Sequence, residues 1–328
     1  MILGHGDDIY RYSGIMMNFS SNIYPNPNLL ELEEHLRNRI TLIRNYPEPT
    51  PAHLEQLLAK EYGVEENQIM VTSGATDAIY LIAQAFREEK YFKVFHPTFS
   101  EYADASQTFG MEETADAPVC WLCNPNNPTG EVKSDEDIIK LERQYKWLIL
   151  DQSYEDYTLK PIMSAPKAVQ KENIIQIRSM TKRYAIPGLR LGFIIANEDI
   201  IRRLKPLYRP WAVNALAMEA GCWLIENQQK VILHLTDYLL ETQRLRNELN
   251  AIDGVEASPT DTNFFLCTIR QSTATQLKEY LAKNEKILIR DASNFTGLTP
   301  HHFRIATQSP PENNALIEAI SRFLSKFT

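Results

Sequence analysis

Lys182 stands in the string Ser179-Met180-Thr181-Lys182-Arg183-Tyr184-Ala185-Ile186-Pro187-Gly188-Leu189-Arg190-Leu191-Gly192, between the apolar runs 174–177 and 193–195. Lysine is ordinarily a surface residue, and a solvated basic loop after a strand is the plain alternative for this one. A lysine used chemically needs an amine that can shed its proton and add to a carbonyl. Arg183 and Arg190 would both push its pKa down. Ser179 and Arg190 could hold an anion beside it. That combination suits a lysine Schiff base to a phosphorylated aldehyde.

Four further groupings could serve such chemistry. Ser73-Gly74-Ala75 follows a strand and opens a helix. The free N–H groups of a helix start, with its dipole, bind phosphate, and glycine lets a ligand approach the backbone. Asn124-Pro125-Asn126-Asn127-Pro128-Thr129-Gly130 directly follows a strand. Its prolines fix the backbone, and the carboxyl end of a strand is where α/β folds bind ligands. Asn127 could donate to a ring oxygen. Asp151 leaves the buried run 147–150, an expensive placement without a cation. A protonated pyridine nitrogen would supply one, with Tyr154 in reach of a ring hydroxyl; a helix N-cap is the alternative. Arg304 interrupts an apolar strand, and Arg290 lies fourteen residues before it. A buried guanidinium seeks a carboxylate or phosphate, whether from a ligand or from a structural salt bridge.

The elements that must position these residues read as α/β. Strand-like runs fall at 68–72, 94–95, 119–123, 147–150, 174–177 and 191–196, with helical patterns between several of them. Alternating strands and helices predict a mostly parallel sheet covered on both faces. His53 to Tyr62 predicts a helix ended by Gly63. Asn214 to Leu249 predicts a long helical region broken near Asn227, and strands at 263–268, 287–289 and 303–306 belong to a smaller α+β unit. The expected division is an N-terminal arm over 1–45, a large domain over 46–228 and a small C-terminal domain over 229–328.

With 328 residues, 44% of them hydrophobic and 23% charged, the chain can bury one large core or two ordinary ones. A net charge of −8 offers nucleic acid no attraction. No apolar stretch approaches membrane-spanning length, and the first residues lack a secretory pattern. Four scattered cysteines fit a reducing cytoplasm. The Cys120–Cys123 spacing lies in a predicted strand without a second pair, which argues against a metal or redox role.

Taken together, Gly74-Ala75, Phe99 after Pro97-Thr98, Asn127, Asp151, Tyr154, Ser179, Lys182, Arg190 and Arg304 resemble the fold type I aminotransferase superfamily, which depends on pyridoxal 5'-phosphate. The resemblance implies a large domain with a mostly parallel sheet of the seven-stranded type between helices. It implies that Lys182 bonds the cofactor aldehyde and that Asp151 keeps the pyridine nitrogen protonated. Asn127 and Tyr154 would bind the ring oxygen, and Phe99 would stack on the ring. Gly74, Ala75, Ser179 and Arg190 would hold the cofactor phosphate. Tyr46 matches a tyrosine that reaches that phosphate from the neighbouring subunit, which implies a homodimer with a shared active site. Arg304 matches the residue for the substrate α-carboxylate, and Arg290 one for a second, substrate phosphate. Two branches compete, the histidinol-phosphate aminotransferases and the threonine-phosphate decarboxylases. His5-Gly6-Asp7-Asp8 and Asn18-Phe19-Ser20-Ser21-Asn22-Ile23-Tyr24-Pro25 resemble the decarboxylase opening, so His5, Gly6 and Asn22 join Arg290 and Arg304 as expected substrate ligands. Asp7 and Asp8 stand where that branch has Gly and Asn. An acidic pair near a phosphate is awkward unless both side chains turn away.

Overall fold

The computed structural model describes residues 7–327, so His5 and Gly6 lie outside the described residues. The arm carries strand β1, Met17–Asn18, and then helix α1, Leu30–Asn38. Helix α2, Ala52–Tyr62, ends at Gly63, whose φ of +66° is the left-handed conformation that closes a helix. Strand β2, Ile69–Thr72, and helix α3, Ala75–Ala85, follow. Next come β3, Tyr91–Val94; α4, Glu101–Thr108; β4, Glu112–Glu113; and β5, Val119–Cys123. Helix α5, Asp135–Glu142, begins at Ser134, whose hydroxyl accepts the Asp137 N–H, with three acidic residues in its first turn. Strand β6, Trp147–Asp151, helix α6, Ala165–Val169, strand β7, Ile174–Ser179, and the single turn α7, Met180–Arg183, lead to β8, Gly192–Ala196.

These strands form a seven-stranded sheet in the order β2-β8-β7-β6-β5-β3-β4. Only β8 runs against its neighbours. The unbroken apolar run of β5 explains itself in this setting. Val119, Trp121 and Cys123 enter the core under α3 and α4, whereas Cys120 and Leu122 enter the core on the opposite face. A strand buried on both sides has no polar face to alternate with. Cys120 and Cys123 consequently point to opposite faces, and burial pushes each thiol up to about 12.

Helices α8, Glu198–Leu204, and α9, Ala215–Glu226, precede a break over 227–234, after which α10 runs Leu235–Asn250. A second sheet, in the order β12-β13-β10-β9, is antiparallel. Its strands are β9, Val255–Ala257; β10, Phe264–Ile269; β12, Arg290–Asp291; and β13, His302–Ala306. Helix α11, Ala274–Tyr280, runs into a π-helical turn and then β11, Ile287–Leu288. Helix α12, Pro310–Leu324, starts with a capping box between Ser309 and Glu312.

The arm belongs to this second unit by packing. Strand β1 pairs with β11, the Phe19 carbonyl accepts the Ala306 N–H at 2.9 Å, and the Phe19 ring is buried among Leu245, Phe265 and Phe303. Among the described residues no helix is long and apolar enough to cross a membrane.

Candidate active site

The carboxyl ends of β2, β3, β5, β6 and β7 face one cavity of about 250 Å³, closed from the other side by the arm and by β13. Asn22, Ala75, Phe99, Asn127, Asp151, Tyr154, Ser179, Lys182, Arg190 and Arg304 all line it. Residues as distant as 22 and 304 thus meet at the crevice where an open α/β sheet offers a site.

Gly74 sits behind the wall at φ +84°, and a Cβ there would lie 2.6 Å from the Arg190 guanidinium. Arg190 itself adopts φ +59°. The glycine is what lets Arg190 lie flat across the start of α3. Gly192 makes a second close approach: a Cβ on it would stand 2.7 Å from the Ala75 nitrogen. Thr76 and Thr181, which sequence reasoning did not single out, also line the cavity beside Ala75 and Ser179. The α3 start, two hydroxyl-bearing segments and one guanidinium make a cradle suited to phosphate.

Asp151 is the last residue of β6 and is almost wholly buried. It is not a helix N-cap. Its Oδ1 accepts from the Ser153 N–H at 2.9 Å and the Ser153 hydroxyl at 2.6 Å, and its Oδ2 accepts from the Tyr102 hydroxyl at 2.7 Å. Burial raises its pKa above the usual carboxylate value; those hydrogen bonds and then the Lys182 charge oppose the rise. Three neutral donors aim the carboxylate without neutralising it, so a cationic ring nitrogen fits there. Ser153 was readable in principle, because an Asp commonly accepts from the backbone two residues on. Tyr102 was not: it reaches Asp151 from α4, stacked on Trp121 at 5.5 Å.

The three asparagines of the 124–130 loop divide by partner. Asn124 exchanges hydrogen bonds with the Lys133 backbone, and Asn126 bonds Thr98, Pro97 and Thr129. Asn127 differs in facing the cavity. Its Oδ1 accepts from Arg304 Nη1, which turns the amide Nδ2 into the donor available to a ligand. Tyr154 is buried, with its hydroxyl 3.5 Å from Asn22 Nδ2 and its ring 5.6 Å from Lys182 Nζ.

Lys182 Nζ lies in the cavity, and its pKa falls from 10.5 to about 8. Burial is the largest cause; Arg304 and then Arg190 push the same way, while Asp7 and Asp151 oppose them. The expected contribution of Arg183 is corrected: its side chain turns away to Gln228 at 2.9 Å and Asp156 at 3.6 Å. Its place is taken by Arg304, brought from the far end of the chain.

Arg304 is 5% exposed, and its Nη2 donates to the Ser20 carbonyl at 2.6 Å. Burial lowers its pKa to about 10, so it remains charged at neutral pH. Its Nε and the Asn22 Oδ1 are buried polar atoms without a protein partner. Such atoms at a cavity wall suit a polar ligand. Arg290 stands opposite Arg304 in the β12–β13 register but does not line the cavity; its Nη2 donates to Asn294 at 2.8 Å. Tyr46 is 84% exposed and packs on Trp211, away from this chain's own cavity.

The acidic pair of the arm separates. Asp8 turns inward and is buried against Lys278 Nζ at 2.7 Å and 2.8 Å. Asp7 remains at the cavity wall.

A family profile described as Aminotransferase class I and II matches residues 14–115 and 111–320. The chain is similar to the crystal structure of L-threonine-O-3-phosphate decarboxylase from Porphyromonas gingivalis, with a TM-score of 0.91 and 37% identity over 94% of this chain and 100% of that one. It is 30% identical to a histidinol-phosphate aminotransferase of Caldanaerobacter subterraneus subsp. tengcongensis, over 89% of this chain and 90% of that protein. It is 27% identical to a threonine-phosphate decarboxylase of Salmonella typhimurium, over 94% and 92%.

Proposed function

The chain belongs to the aminotransferase class I and II family and is an enzyme dependent on pyridoxal 5'-phosphate, and on that premise we propose that it decarboxylates L-threonine O-3-phosphate. The products would be carbon dioxide and (R)-1-aminopropan-2-yl phosphate, a building block for cobalamin. The observation that carries this choice of branch is the likeness to the Porphyromonas gingivalis decarboxylase over nearly the whole of both chains.

In this reading Ala75, Ser179 and Arg190 hold the cofactor phosphate over Gly74, Phe99 covers the ring, Asp151 meets its nitrogen, and Asn127 and Tyr154 meet its oxygen. When bound, the cofactor is the electron sink for a bond broken at the substrate's α carbon. Arg304 grips the α-carboxylate in a planar fork. Arg290, Asn22 and the arm residues His5 and Gly6 serve the substrate phosphate. After carbon dioxide leaves, Lys182 Nζ returns a proton to the α carbon; in amino transfer the same amine would first take it. Water is kept out by the arm, held on Arg304 through Ser20. The protein works as a cytoplasmic homodimer with Tyr46 lent to the second copy's cofactor phosphate. Residues 1–45 act as the arm, 46–228 as the cofactor-binding domain and 229–328 as the small domain.

Amino transfer of the histidinol-phosphate type is the second reading. The 30% identity to a histidinol-phosphate aminotransferase over 89% of this chain supports it. Two assays separate them. Carbon dioxide released from L-threonine O-3-phosphate is the expected outcome. Glutamate formed from histidinol phosphate and 2-oxoglutarate, without carbon dioxide from the first substrate, would reverse the order. Borohydride should fix the cofactor on Lys182 under either reading.

A further inference from the structure

The second sheet meets the Asn127 loop through the contact between Arg304 and Asn127, and again where the loop leaves toward α5. Gly130 sits there at φ +74°, and a Cβ on it would overlap the Thr260 hydroxyl and stand 2.7 Å from the Phe264 carbonyl oxygen. The stretch 260–264, which leads into β10, thus packs directly on the loop backbone. Asp261 fastens the two together. Its N–H donates to the Gly130 carbonyl at 3.0 Å, and its Oδ2 accepts the Val132 N–H at 3.0 Å. Its Oδ1 pairs with Lys160 Nζ at 2.8 Å, but Lys160 is 56% exposed, so solvent weakens that pair.

Both pieces joined by Asp261 are stiff. In the loop, the Asn126 N–H donates to the Glu131 carbonyl at 2.9 Å and the Gly130 N–H to the Asn126 carbonyl at 2.7 Å, which fixes Val132 relative to Asn127. In the sheet, the Thr260 hydroxyl donates to the Phe264 carbonyl at 2.6 Å, and the β10–β13 register sets Phe264 against Ala306 and Leu266 against Arg304. Arg304 is therefore fixed relative to Asp261. With two stiff pieces, the clamp between them decides where the guanidinium stands over Asn127 and the cavity. A planar fork must meet a carboxylate squarely, and a displacement of about 1 Å is costly. We propose that Asp261 is a positioning residue that clamps the exit of the Asn127 loop to the start of β10 and so holds Arg304 where the ligand carboxylate binds. This rests on the reading that Arg304 takes the substrate carboxylate. Asp261 does not line the cavity, so its effect on a ligand passes through the clamp.

The test compares the unaltered holoenzyme with Asp261→Ala and Asp261→Asn. Asparagine keeps an acceptor for the Val132 N–H and loses only the attraction for Lys160; alanine loses both. Dissociation constants for L-threonine O-3-phosphate are read from the cofactor absorbance, and cofactor retention is measured alongside. Asp261→Ala should weaken the ligand about fivefold and leave cofactor retention unchanged, whereas Asp261→Asn should lose at most about twofold. Unchanged or tighter ligand binding in Asp261→Ala overturns the proposal. A larger loss in Asp261→Asn assigns the effect to the Lys160 pair, and a cofactor loss as large as the ligand loss marks a general loosening; either overturns it as well. If Asp261→Ala does not fold, Asp261→Ser, whose hydroxyl stops short of Val132, is read against the same outcomes. If the unaltered enzyme does not bind the ligand, the substrate reading fails instead, and Asp261 is judged by the pH profile of cofactor uptake at Lys182. Among the described residues, Lys182 faces Arg304 from β13, Arg190 from the loop before β8, Asp151 and Tyr154 from the end of β6, and Asp7 from the arm. Arg304 pushes the lysine pKa down, so an Arg304 loosened by Asp261→Ala should move that profile to higher pH. An unmoved or lowered profile overturns the proposal.

Discussion

Burial, ahead of any charged neighbour, brings the Lys182 amine from 10.5 down to about 8. Below that pH the amine is mostly protonated; above it the amine is mostly neutral. Only the neutral form adds to an aldehyde. Cofactor uptake by the free protein should therefore accelerate about tenfold per pH unit up to pH 8 and level off beyond it. An ordinary lysine would keep accelerating to about pH 10. Following the cofactor absorbance after mixing gives the profile, and continued acceleration past pH 9.5 or so would count against it. At this scale the chemistry was open to reading and its electrostatics were not. Lys182, Asp151 and Asn127 stand out because their types conflict with their apolar surroundings or their rigid loop. Which arginine faces the lysine depends on a side-chain direction, and there sequence proximity pointed to Arg183 when the neighbour is Arg304.

Between elements, one hydroxyl joins the arm to the lysine turn. The wholly buried Tyr157 donates to the Lys182 carbonyl at 2.7 Å and accepts the Tyr24 N–H at 2.8 Å. Replacing it with Phe leaves the part-buried Tyr24 N–H without this acceptor, at a cost of about 1–3 kcal/mol, and strips one of the hydrogen bonds from the Lys182 carbonyl, which keeps the Ala185 N–H at 3.2 Å. It also frees α7 to shift. Tyr157→Phe should lower kcat about tenfold, because small displacements of a reacting group are costly. KM should change little, since Tyr157 does not line the cavity. Steady-state kinetics would decide, and a raised KM at unchanged kcat would contradict a positioning role. The strands themselves were legible, because the run 119–123 is apolar throughout and 174–177 is broken by Gln176 alone. Strand order was not: the reversal of β8 follows from the short 184–191 connection and from packing against β2. Nor was the docking of Met17–Asn18 beside β11, a pairing across about 270 residues with no local signal.

For the molecule as a whole, exposed apolar side chains gather around Tyr46. Trp211, 50% exposed, packs on it, and Ile40 and Ile43, 49% and 64% exposed, lie on the short helical stretch that precedes it in the chain. A monomer would leave that patch to water, and the proposed homodimer covers it. Sedimentation should give about twice the 37.8 kDa of one chain. Tyr46→Phe should keep the dimer yet weaken cofactor retention several-fold, by loss of one charge-assisted hydrogen bond. A monomer that retains full activity would remove the basis for a shared site. By itself, the sequence determined the α/β class, the cofactor and most of the residues that line the cavity, because each is bound to a local signal: a glycine at a helix start, a proline-framed loop, a charge ending a buried strand. The tertiary structure alone decided what closes the cavity opposite the sheet. The arm and β13 are joined through Phe19 and Ser20 rather than by chain neighbourhood, and only that contact sends Asp8 inward to Lys278 while leaving Asp7 at the cavity beside Arg304. Two adjacent aspartates look alike in a sequence; they differ once folding gives one a buried cation and the other an open wall.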